Sequence, residues 1–168
     1  YQNLHNLRGL ILKSDDIKKN EDKIKKLERE ITLFHAKIVN DILETIDQNI
    51  DFIGFHGQTI YHNPSEKISK QIGDGKLLSQ LTKKTVIYNF RQNDIKNGGE
   101  GAPLAPIFHK LIVKQKKIEF PVCILNIGGI TNVTALNENN NLISKDLGPG
   151  NCLIDEWVRN NTKSKFDK

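Results

Sequence analysis

Val122-Cys123-Ile124-Leu125-Asn126-Ile127-Gly128-Gly129-Ile130-Thr131-Asn132-Val133-Thr134-Ala135-Leu136 is the stretch whose reading decides the fold. Val122 to Asn126 is an apolar run of strand length, Gly128-Gly129 is a turn, and Ile130 to Leu136 alternates enough to be the hairpin partner. Asn137 to Asn141 reads as a polar turn. Leu142 to Lys145 then reads as a short strand entering Asp146-Leu147-Gly148-Pro149-Gly150-Asn151. Leu153, Ile154 and Trp157 begin a helix. With the helices and strands upstream, a β-meander running into a glycine-rich loop and a helix indicates an α/β or α+β fold with a mixed sheet.

Upstream, Ile24, Leu27, Ile31, Phe34, Ile38, Ile42 and Ile46 recur every three or four residues, which predicts a helix from about Asn20 to Asp47 with one apolar stripe. Asn20 is the expected cap, and Glu21 and Asp22 suit the positive end of the helix dipole. Ile50 to Phe55 is a short buried strand running into His56-Gly57-Gln58-Thr59. Asp74-Gly75 precedes a short helix from Lys76 to Leu81, and Thr85 to Phe90 is a second strand. Gly98-Gly99-Glu100-Gly101 is a loop, and Pro103 and Pro106 bracket the start of a helix through Phe108, Leu111 and Ile112. The charged connector Lys114 to Lys117 is the expected boundary between two lobes, and no internal repeat is present.

The chain has 168 residues, 37% hydrophobic and 27% charged, which favours a globular class over disorder. Its formal net charge of +5 comes largely from lysines interleaved with acids, as in Lys18, Lys19, Glu21, Asp22, Lys23 and Lys25. That is a solvated helix face rather than a nucleic-acid platform. Cys123 and Cys152 form no CxxC and no metal spacing, and Cys123 is expected to be buried and inert in its apolar run. No stretch is apolar for long enough to span a bilayer, so no membrane association is expected. The chain opens with Tyr1, contains no Met and stops at Lys168, which leads us to expect a piece truncated on both sides.

The informative polar residues fall in four strand-end loops: Gly54 to His62, Asn89 to Pro106, Asn126 to Asn132 and Asp146 to Asp155. Each is equally readable as ordinary turn chemistry. The Gly128-Gly129 hairpin offers unobstructed backbone N–H groups suited to phosphate, yet lacks the Lys and Ser/Thr of a P-loop and is not followed by a helix. Asp146, before Gly148-Pro149-Gly150, suits a general base, or a loop or helix cap. His56 and His62 have no helical metal spacing, and nothing requires a metal ligand set. His, Gln, Thr, Arg and Asp do match the hydroxyls of a sugar.

Taken in order, His56-Gly57-Gln58-Thr59-Ile60 with His62, Gln71-Ile72-Gly73-Asp74, Phe90-Arg91 with Asp94, Gly98 to Leu104 with Pro106 and His109, Asn126 to Ile130 with Asn132, and Asp146 to Asn151 with Asp155 and Trp157 resemble successive motifs of the anhydro-N-acetylmuramic acid kinase family. The resemblance runs from the long helix to Trp157. It implies the actin-like, hexokinase-like (ribonuclease H-like) ATPase fold, with mixed sheets, flanking helices and two lobes. Residues 1–117 would be the rear of the sugar-side lobe, and 118–168 the start of the nucleotide-side lobe.

The implied reaction converts 1,6-anhydro-N-acetylmuramic acid, ATP and water to N-acetylmuramic acid 6-phosphate and ADP, in cytoplasmic recycling of peptidoglycan. By the same resemblance Asp146 is the catalytic aspartate that activates water. His56, Gln58, Thr59 and Arg91 line the sugar side, and Gly128, Gly129 and Asn132 lie near the nucleotide phosphates. Mg2+ would arrive with ATP, and a homodimer is allowed. The chain departs from the family pattern at Asn89, Gln92, Asn93 and Glu100. Asn for the usual Asp at 89 keeps size and loses charge. The alternatives are a sugar-binding, catalytically impaired relative, or a relative acting on another substrate. The family's first phosphate loop and its adenosine site would lie outside this sequence, so the chain alone is expected to be inactive. The expectation stands or falls with Asp146 and the His56–Thr59 and Arg91 loops serving one pocket.

Overall fold

The computed structural model describes residues 2–139 and 141–166. Tyr1, Asn140, Asp167 and Lys168 lie outside the described residues, and with them one position of the expected 137–141 turn. The chain divides into two compact units, Tyr1–Ala102 and Pro103–Lys168.

The first unit opens with α1 (Gln2–Leu10), α2 (Ser14–Lys19) and the long α3 (Glu21–Thr45). Asn20 does not cap α3 with its side chain. It is at once the residue that closes off α2 and the entry to α3, with φ −111° and ψ 20° rather than the extended backbone that an N-cap needs. Its amide instead donates to the Asp16 carbonyl at 2.9 Å. Only the start of the expected stripe is buried: Ile24 and Leu27 join Leu4, Leu7, Ile11, Ile60 and Ile72 in one core cluster, with Ile31 partly buried against it. Phe34, Ile38 and Ile42 remain exposed, Phe34 at 62%, and the helix buries Thr32 and Ala36 instead. The reason is direction: the distal half of α3 packs on α4, through the face that carries Thr32 and Ala36.

β1 (Phe52–Phe55) and β4 (Thr85–Tyr88) pair in parallel, with Phe55 opposite Tyr88. Parallel neighbours need a long crossover. Here it holds an antiparallel hairpin, β2 (Gln58–Asn63) with β3 (Ile68–Ile72), and then α4 (Gly75–Thr82). Asp74 caps α4, its carboxylate accepting from the amides of Lys76 and Leu77 at 2.9 and 3.0 Å. A second cluster of Ala36, Phe55 and Leu78, flanked by Ile53, Val86 and Tyr88, seals α3 and α4 onto the β1–β4 pair. Asn89 turns left-handed (φ 59°) and releases the chain into α5 (Phe90–Lys96), where a loop was expected. Asn is among the few residues for which that conformation is inexpensive.

The second unit has α6 (Ala105–Gln115), the meander β5 (Val122–Ile127), β6 (Ile130–Leu136) and β7 (Leu142–Pro149), and α7 (Asn151–Asn161). α6 stands on this side of the division between units, whereas the expected lobe boundary falls after Lys117. β6 is central and pairs antiparallel with both neighbours. Val122, Ile124 and Asn126 share a sheet face with Leu136, Thr134 and Asn132, and His109 of α6 reaches Thr134 on that face at 2.9 Å. Cys123, Leu125 and Ile127 alternate onto the opposite face of this edge strand. Cys123 is therefore exposed, not buried as its apolar run suggested.

A mixed α/β chain is what the sequence motifs implied, but among the described residues the sheets are separate and unmixed: one parallel pair, one antiparallel hairpin and one antiparallel meander, with flanking helices. Among the described residues no helix is long and apolar enough to cross a membrane.

Candidate functional site

In the first unit the structure joins two of the expected sugar-side residues directly. Arg91 enters from the first turn of α5 and donates through Nε to His56 Nε2 at 2.9 Å. Its Nη1 donates to the Gly101 carbonyl at 2.8 Å. Gly101 in turn donates its amide to the Asp94 carboxylate at 2.7 Å. His56 sits in the bend between β1 and β2, and that bend requires glycine next to it. Gly57 has φ 69°, and a Cβ there would run into the Ile72 carbonyl.

Gln58 and Thr59 are strand residues rather than loop residues, so the pleat sends them to opposite faces. Thr59 Oγ1 accepts from the Gln71 amide at 3.2 Å, and the same amide donates to Ser69 Oγ at 2.8 Å. His62 Nδ1 also meets Ser69 Oγ, at 3.0 Å. Gln92 of α5 donates to the Ser69 carbonyl, which ties α5 to the hairpin. Gln58 faces away from this network. It lines a groove of about 420 Å³ with Phe34, His35, Ile31 and Leu27 of α3 and Leu4 of α1.

In the second unit Asp146 lies inside β7, not in a loop beyond it, because pairing with β6 continues to Pro149. Asp146 stands opposite Asn132, and Asn132 stands opposite Asn126, so three polar residues form one row across the meander. The next pair is Thr131 with Gly148, which leaves Leu147 as an unpaired extra residue. Such a bulge bends a strand and re-aims its neighbours. Asp146 directly precedes the bulged residue and is exposed.

The Gly128-Gly129 turn contacts the start of α7 through its carbonyls. Gly128 accepts from the Asn151 amide at 2.8 Å, and Gly129 from the Gly150 amide at 2.9 Å. The Asn151 side chain adds a bond to the Ile127 carbonyl at 3.2 Å. These bonds tie the turn to the first residues of α7, while the row Asn126–Asn132–Asp146 lies in the same meander. Among the described residues no group of three or more His, Cys, Asp or Glu gathers where a metal ion could be held.

Sequence reading missed the structural roles of Asp94, Gln92, Ser69 and Gln71. Their signal is three-dimensional: a helix that begins at Phe90, and a hairpin that brings Ser69 opposite His62.

Small parallel and antiparallel sheets with flanking helices, a bulged strand carrying an exposed aspartate and a glycine hairpin bonded to the following helix fit the class of actin-like ATPase folds. The family profile described as anhydro-N-acetylmuramic acid kinase matches residues 4–168, and the chain belongs to that family. A protein of Pelagibacter ubique (strain HTCC1062) named anhydro-N-acetylmuramic acid kinase is 60% identical over 170 residues, covering 100% of this chain and 45% of the relative. Proteins of the same name from Brucella canis and Agrobacterium fabrum are 43% and 45% identical, over 86% and 84% of the chain and 40% and 39% of their own lengths. The chain thus spans less than half the length of these curated relatives.

Proposed function

We propose that the protein containing this chain is an ATP-dependent kinase that opens 1,6-anhydro-N-acetylmuramic acid with water and phosphorylates it at O6. The observation that carries this reading is the meander of the second unit: an exposed Asp146 paired across the sheet with Asn132, on the hairpin strand that follows the Gly128-Gly129 turn. Asp146 acts as general base. It takes a proton from water as the water oxygen bonds to the anomeric carbon and the bond from that carbon to the bridge oxygen breaks. The bridge oxygen becomes O6 and bonds to the γ-phosphorus of ATP, and ADP leaves with the electron pair of the broken P–O bond. Gly128, Gly129 and Asn132 lie toward the nucleotide phosphates. Mg2+ bound to the nucleotide would supply charge neutralisation there, while the chain's own residues position the reactants. His56, Gln58, Thr59 and Arg91 belong to the sugar side, with residues 1–117 in the sugar-side lobe and 118–168 opening the nucleotide-side lobe.

The setting is peptidoglycan recycling in the cytoplasm, with amino sugar and ATP as partners, a homodimer as the assembly to test, and no nucleic acid or membrane. The test is phosphate transfer from labelled ATP to the anhydro sugar by the complete gene product. Asp146→Asn is expected to lower kcat by about 10²–10⁴-fold, the usual contribution of a general base. Sugar binding without turnover in the wild type would replace this reading with that of a catalytically impaired sugar-binding relative. Wild-type turnover that survives Asp146→Asn would remove Asp146 from the mechanism.

A further inference from the structure

We propose that Asp94 and His56 are positioning residues whose task is to aim Arg91, which is left as the ligand-contacting group of this cluster. The inference deepens the sugar-side reading and rests on it only for the activity measurement.

The hydrogen bonds assign the imidazole. Arg91 Nε can only donate, so His56 Nε2, 2.9 Å away, carries no proton. The ring proton is then on Nδ1, where it donates to the Gly57 carbonyl at 3.1 Å. Both ring nitrogens are committed within the protein, and neither is left to accept from or donate to a ligand.

Asp94 works from the other side. Arg91 and Asp94 are three residues apart on α5, on one side of the helix. They grip a single residue by both of its polar backbone groups: Asp94 accepts the Gly101 amide at 2.7 Å, and Arg91 donates to the Gly101 carbonyl at 2.8 Å. Asp94 also accepts the Gly99 amide through its own carbonyl at 2.9 Å. A Cβ on Gly99 would overlap the Asp94 carboxylate and displace it from its place over the loop.

These bonds consume two of the five guanidinium N–H groups. Three donors remain for the oxygen acceptors of a ligand. α5 itself is anchored separately, by Gln92 on the Ser69 carbonyl. Loss of Asp94 therefore releases the Gly98–Gly101 loop and the aim of Arg91 without releasing the helix.

The test uses the complete gene product with 15N-labelled histidine. Wild type is expected to show His56 as the fixed Nδ1–H tautomer. In Asp94→Ala, exchange of the Gly101 amide should accelerate at least tenfold and the His56 tautomer should become mixed. KM for the anhydro sugar should rise at least tenfold, with kcat changed less. Asp94→Asn retains an acceptor of the same size and should restore both the exchange rate and the tautomer. Unchanged Gly101 exchange and an unchanged tautomer in Asp94→Ala overturn the proposal, as does failure of Asp94→Asn to restore them. Should Asp94→Ala not fold, Gly99→Ala, which pushes the carboxylate off Gly101, must mix the tautomer, and a fixed tautomer there is equally fatal. A wild type without kinase activity counts against the sugar-kinase reading alone, since exchange and tautomer need no substrate.

Discussion

Thr32 is polar and has no exposed surface, and its hydroxyl is fully used. It donates to the Glu28 carbonyl at 2.7 Å and accepts the Asp74 amide at 2.9 Å, while the Glu28 carboxylate takes the neighbouring Gly73 amide at 3.1 Å. One turn of α3 thus binds the backbone that enters α4. Thr32→Val keeps the shape and strands the Asp74 amide. It should lower the unfolding free energy by about 1–3 kcal/mol, the cost of an unsatisfied buried donor, read as a shift of the urea midpoint. Thr32→Ser should recover most of that loss. Asp74→Ala removes the α4 cap and should cost about 1 kcal/mol. The two changes meet at Asp74, so the double variant should depart from additivity; strict additivity would show that the Thr32 bond does not hold the capping residue in place. The short helix after Asp74-Gly75 was legible in the sequence because its apolar run is a local signal, and the cap itself is what the structure adds. Thr32 was not, because it stands off the apolar stripe and its partner is 42 residues away.

At the scale of elements the same division recurs. α3 and the β5–β6–β7 meander follow from periodicity and from glycine and asparagine turns, and the structure reproduces them within a few residues. The β2–β3 hairpin and α5 did not follow. Tyr61, His62 and Asn63 give no clean apolar alternation, and α5 is only seven residues long, held at Gln92 and Asp94 by tertiary bonds rather than by an apolar stripe. Periodicity also overstated the burial of α3, since a stripe records which face is apolar and not how far along it a partner extends. That difference is measurable. Leu27→Ala and Ile72→Ala, both in the first core cluster, should each cost about 2–5 kcal/mol. Ile42→Ala, on the same stripe but 50% exposed, should stay within about 0.5 kcal/mol in the 168-residue chain. Equal costs at Leu27 and Ile42 would show that the distal half of the helix has a partner in solution. Cys123 makes a parallel case: it should react with a thiol reagent in the native chain at a rate near that of the unfolded one, and protection would mean that its sheet face is covered.

For the whole molecule, the decisive quantity is the apolar surface that this length of chain leaves uncovered. Leu153, Ile154 and Trp157 of α7 are 58%, 50% and 64% exposed, and Ile107, Phe108 and Leu111 of α6 are comparable. Full burial of one such side chain contributes about 1.5–3 kcal/mol, so leaving six of them in water forgoes an amount comparable to the whole stability of a small domain. The curated relatives extend well beyond the matched region, this chain covering 45% of the Pelagibacter ubique protein. Expressed alone, the 168 residues should bind a hydrophobic dye, self-associate as concentration rises, and release no ADP from ATP with the anhydro sugar. Trp157 is the sole tryptophan and reports directly on one of these faces. In the isolated chain at dilution a neutral quencher should reach it almost as freely as it reaches the unfolded chain, and a chain extended to the length of the relatives should shield it. Ordinary turnover by the 168-residue chain would mean that the groups for binding and transfer are all contained within it. The exposed faces of α6 and α7 would then be ordinary solvent surface rather than half of an interior.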